Sequence, residues 1–94
     1  MKGGWDKKMS RAQEIHQALQ IMFNPVQLQV ADESAKHRGH AGAPDEGESH
    51  FHVIIRASTF SGLSRIARHR AIHAALGVEL MAQIHALSLD VDAP

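Results

Sequence analysis

Histidine is the residue type whose number and spacing invite a chemical reading of this 94-residue chain. Eight histidines occur, at positions 16, 37, 40, 50, 52, 69, 73 and 85, and there is no cysteine. Imidazole is a ligand for borderline transition metals and exchanges protons near neutral pH. Without thiols, disulfides, thiolate catalysis and an iron–sulfur site held by this chain's own sulfur are all excluded. Any metal must be held by histidine, carboxylate or a partner's sulfur. His37 and His40 stand three apart in a Gly- and Pro-containing stretch, which is weak zinc-like spacing. His69 and His73 are an i, i+4 pair, also a metal spacing on a helix, but position 73 falls near an apolar stripe, so packing is its expected role. His50 and His52 read as surface residues of a strand, and His16 as a solvated one. Arg65, Arg68, His69 and Arg70 form a basic cluster, either an ordinary solvated face or a docking surface. No nucleophile–base–orienter set is visible, so an enzyme is not expected.

These residues must be positioned by a small set of elements. One domain is the expectation at this length. Residues 1–9 read as a flexible N-terminus, 10–91 as the folded domain and 92–94 as a short end. Ser10 and Gln13 have capping-box spacing. Ile15, Ala18, Leu19, Met22 and Phe23 follow at helical intervals, and Asn24-Pro25 stops the run, which predicts a helix over 10–23. Val26, Leu28 and Val30 alternate with glutamines as a half-buried strand. Residues 32–48 are a long loop of Gly, Pro and charge. Residues 49–56 form a second strand, with Phe51, Val53 and Ile55 on one face and His50, His52 and Arg56 on the other. Ile54 breaks the alternation.

A turn over 58–62 leads to a helix expected from Ser64 to Met81, with Ile66, Ile72, Leu76 and Leu80 toward the core and Gly77 weakening its C-terminal part. The last strand, 84–91, opens beside His85 and carries Leu87, Leu89 and Val91 on one face. The order is therefore α–β–β–α–β. Strands 1 and 2 are expected antiparallel and strand 3 parallel to strand 2, with both helices on one face of the sheet. This topology returns His85 to the end of the sheet where His50 starts and where the loop carrying His37 and His40 is attached. If strand 3 instead paired with strand 1, His50 would drop out of that group.

Lysine plus arginine balance aspartate plus glutamate at ten each, so net charge is zero with histidine neutral. The chain as a whole is not a polyanion binder. Nucleic-acid binding through the arginines would be weak and steeply salt-dependent. No apolar run approaches the roughly 20 residues needed to span a membrane, and the N-terminus lacks a signal-peptide core. A soluble intracellular protein is the default expectation.

Six segments together resemble the BolA family: Asn24-Pro25-Val26, Asp32-Glu33-Ser34, Glu48-Ser49-His50-Phe51, Phe60-Ser61-Gly62, Arg68-His69-Arg70 and Ile84-His85-Ala86-Leu87. They occur in family order and spacing from about residue 10 to 91. The resemblance implies an α+β, class II KH-like fold, with a three-stranded mixed sheet and two helices on one face. It implies a partner, a monothiol glutaredoxin, and a bridging [2Fe–2S] cluster shared with that partner and with glutathione, for iron–sulfur trafficking or iron regulation. The strand 3 histidine of the family corresponds to His85. The loop ligand corresponds to His37, with His40 as the alternative. The 60–81 segment corresponds to a helix-turn-helix-like element, through which some members act as DNA-binding transcriptional regulators; the basic cluster Arg65, Arg68, His69 and Arg70 then has two candidate roles, meeting acidic groups of the partner or glutathione, or contacting DNA phosphates. The expected state is a monomer or weak homodimer in the cytoplasm, bacterial by first expectation, with an organelle as the alternative. Many members carry a C-terminal helix or tail beyond the position where this chain stops, at Asp92-Ala93-Pro94. The acidic stretch Asp45–Glu48 also lengthens the loop.

Overall fold

The computed structural model describes residues 10–33 and 50–94. Helix α1 runs Arg11–Phe23, as the sequence predicts. Its capping box is complete. Ser10 Oγ accepts from the Gln13 N–H at 3.1 Å, and Gln13 Oε1 accepts from the Ser10 N–H at 2.9 Å, so two otherwise unpaired donors are satisfied. Asn24 ends the helix in the left-handed region at φ +46°. Its N–H donates to the Gln20 carbonyl, and a short polar side chain tolerates that conformation. Ile15 and Leu19 are fully buried. Met22 is a correction to the expected stripe, being 60% exposed. Phe23 closes the stripe instead, its ring 4.9 Å from that of Phe60.

Strand β1 covers Gln27–Asp32 and β2 covers His50–Arg56. They pair antiparallel, with Leu28 opposite Ile55 and Val30 opposite Val53. Strand β3, Ala86–Asp92, pairs parallel to β2, with Phe51 opposite Leu87 and Val53 opposite Leu89. β2 is therefore central, and the alternative pairing of the last strand with β1 does not occur. Strict alternation along β2 buries Phe51, Val53 and Ile55 and leaves His50, His52, Ile54 and Arg56 half-buried on the other face. On the core face, α1 packs on β1, and the second helix, described next, packs on α1 and β3.

The segment expected as one helix is two. Helix α2 spans Arg65–Leu76 and α3 spans Val78–Ala82, broken at Gly77. Gly77 sits at φ +87°, ψ 159°, a region that is essentially glycine-only. A Cβ there would meet nothing within 4 Å, so backbone conformation alone demands glycine. Ile72, Leu76 and Leu80 are buried as expected, but Ile66 is 65% exposed. Ile66 stands about 120° around the helix from Ile72, and His73 about 100°. Both fall off the core face, so His73 is exposed rather than packed. Phe60, at the end of a 3₁₀ turn over Ser58–Phe60, takes the core position at 0% exposure.

Candidate functional site at the start of the parallel ladder

The β2–β3 register sets His50 opposite Ala86. His85 is the residue just before β3, which starts at Ala86 rather than at the expected position 84. The Ile84 N–H donates to the Met81 carbonyl, so the chain leaves α3 through a tight turn and delivers His85 to the ladder's edge. The two imidazole rings lie 5.0 Å apart, centroid to centroid, and are inclined by 42°. His85 is exposed and His50 half-buried. The Glu33 N–H donates to the His50 carbonyl at 2.7 Å, which continues the antiparallel ladder to the point where β1 enters the connection. The same end of the sheet thus presents two imidazoles and both attachment points of the 34–49 segment. His37 and His40 lie outside the described residues.

The basic cluster divides. Arg65 and Arg70 are exposed. Arg68 turns back onto the domain. Its Nε donates to the Phe60 carbonyl at 3.1 Å, and its Nη1 donates to the Val91 carbonyl at 3.3 Å and to Asp92 Oδ1 at 3.0 Å. One guanidinium therefore ties the turn, α2 and the end of β3 together. Asp92 is held below its ordinary carboxylate value, first by the hydrogen bond its Oδ1 accepts from the Ala93 N–H and then, against an opposing desolvation, by the neighbouring Arg68 and Arg56. Arg56 makes a parallel contact on the open face, with Nη2 3.0 Å from Asp90 Oδ1 and Nη1 donating to the Asp90 carbonyl at 2.9 Å. His69 is half-buried beside this cluster, and His52 lies on the open face opposite Ala31 and Ser88.

The Arg68 clamp is the feature that sequence reasoning missed. Its partners are 8, 23 and 24 positions away, so only the folded topology brings them together. The available signal was the acidic Asp92 at the end of a strand expected to finish near the start of α2. Among the described residues, no helix is long and apolar enough to cross a membrane.

A family model described as BolA-like protein matches residues 19–94. A protein of Sinorhizobium sp. described as lying in the cobS 5' region is 46% identical over 87 residues, covering 92% of this chain and 94% of that protein. The SufE-like protein 1, chloroplastic/mitochondrial, of Arabidopsis thaliana is 40% identical over 89 residues, which are 90% of this chain but only 24% of that relative. The solved BolA domain of SufE1 superposes with a TM-score of 0.77 at 36% identity, covering 94% of this chain and 96% of the domain. The DNA-binding transcriptional regulator BolA of Escherichia coli is 40% identical over 77 residues, 82% of this chain and 70% of that protein. Sequence and fold agree, and the chain belongs to the BolA family.

Proposed function

We propose that this chain is a binding protein that partners a monothiol glutaredoxin and co-ligates a bridging [2Fe–2S] cluster. On this reading His85 supplies one imidazole and His37, or alternatively His40, the other. The partner's cysteine and glutathione supply sulfur. The observation that carries the reading is the exposed His85 at the sheet end where the 34–49 segment is attached. The donor chemistry fits. The chain has no thiol, so imidazole is its available nitrogen ligand, and His85 is reachable by a second protein. When bound, the cluster supplies one-electron chemistry, at a potential that histidine ligation raises relative to all-thiolate ligation. The chain's own residues present and orient the imidazole. Gly77 and the turn after α3 set where it emerges, just before the parallel ladder begins at Ala86.

Visible circular dichroism of the protein reconstituted with iron, sulfide, glutathione and a monothiol glutaredoxin tests this. His85→Ala changes the cluster signal and His52→Ala leaves it alone. An unchanged signal in His85→Ala rejects the ligand assignment.

A second reading, direct DNA regulation, is favoured by the exposed Arg65 and Arg70 on α2 and by the similarity to the Escherichia coli DNA-binding transcriptional regulator BolA. With Arg68 engaged inside the domain and net charge zero, few phosphates can be neutralised, so binding falls steeply with salt. Titration of a fluorescent promoter fragment at about 50 and 200 mM salt separates the two readings. Sequence-selective binding at the higher salt supports the regulator.

A further inference from the structure

The His50–His85 pair has a geometry that the cluster reading does not use. With metal–nitrogen bonds of about 2.0–2.1 Å, two imidazoles on one tetrahedral ion hold their ring centres about 5 Å apart. The observed separation is 5.0 Å, with the rings inclined rather than stacked flat. Backbone pairing fixes the two residues. His50 is within β2, and His85 adjoins the Ala86 that pairs with it. The spacing of the two residues is thus set before an ion arrives, which lowers the ordering cost of binding.

We propose that the apo chain binds one divalent transition-metal ion, of the zinc or copper class, through His50 and His85 together. No set of three or more ligating side chains converges among the described residues, so water completes the coordination. Two neutral nitrogen donors select borderline metals over calcium or magnesium, which take oxygen. The site needs no partner protein and shares only His85 with the proposed cluster set. An ion held there competes with glutaredoxin for His85.

The test is a Zn2+ titration of the full-length apo protein, followed by ¹⁵N resonances of the imidazole rings. The wild-type protein should take up one ion, with the His50 and His85 ring nitrogens shifting in parallel. His50→Gln and His85→Gln should each weaken binding at least about tenfold, since each removes one of two ligands. The double variant His69→Ala/His73→Ala removes the i, i+4 pair on α2 and should bind as wild type does. Thermal unfolding without metal confirms that each variant folds, and the wild-type ring shifts assign the site independently of any variant. Uptake that survives His50→Gln unaltered, or shifts confined to His37 and His40 or to His69 and His73, overturns the proposal. Because no glutaredoxin is present, this failure is distinct from failure of the cluster experiment.

Discussion

Replacing Arg68 with methionine should destabilise the domain, which sets it apart from its neighbours Arg65 and Arg70. The Arg68 side chain is 20% exposed and its partner Asp92 59% exposed, so the ion pair itself contributes only about 0–1 kcal/mol. The two bonds to the Phe60 and Val91 carbonyls come from a charged donor at partly buried positions, each contributing about 1 kcal/mol net. The Phe60 carbonyl also accepts from the Leu63 N–H, so it is not left orphaned. The sum is about 2–3 kcal/mol, and methionine keeps most of the stem's packing. For a domain of this size that corresponds to a fall of about 10–20 °C in Tm. Urea unfolding measures it directly, with Arg65→Met and Arg70→Met as controls expected within about 0.5 kcal/mol of wild type. Equal, small effects for all three arginines would refute the clamp and return Arg68 to the solvated face.

Gly77→Ala should cost about 1–3 kcal/mol in urea unfolding, because the open space around the position leaves backbone conformation as the penalty. A neutral substitution would mean that α2 and α3 can merge into one helix. Ser10→Ala should cost about 1 kcal/mol through loss of the capping box, read as lower amide protection in the first turn of α1. The depressed Asp92 carboxyl contributes stability that is intact above its unfolded value, about pH 4, and is lost as pH falls through the folded value. Asp92→Asn should therefore flatten the acid limb of a stability profile below about pH 4, and a parallel profile there would count against the linkage.

Much of this fold was legible because its signals are local. The Ser10–Gln13 box, the Asn24 stop and the alternation of Phe51, Val53 and Ile55 each act within a few residues. Even the proximity of His85 to His50 followed from counting strand directions. What was not legible depended on which side of α2 meets the sheet. The apolar pattern admitted Ile66 to the core and left Phe60 in a turn, and only the observed helix rotation excludes Ile66 and turns His73 outward. Gly77 was visible as a weak point, but a chain can continue through a helical glycine. The break is the positive-φ backbone at Gly77, which only the folded chain displays. Arg68 read as a surface cation because its acceptors are backbone carbonyls, which carry no sequence signature.

The parallel ladder joining His50 to Ala86 spans the whole α2–α3 crossover, so the pair closes only when that crossover is in place. Non-local pairings of this kind form late in folding and open when the domain opens. An ion bridging the two rings would therefore act as a clasp on the entire domain. At a free concentration a hundredfold above its dissociation constant it would add about 2.7 kcal/mol to global stability. Amide exchange at the centre of β2, far from the metal, would slow in proportion.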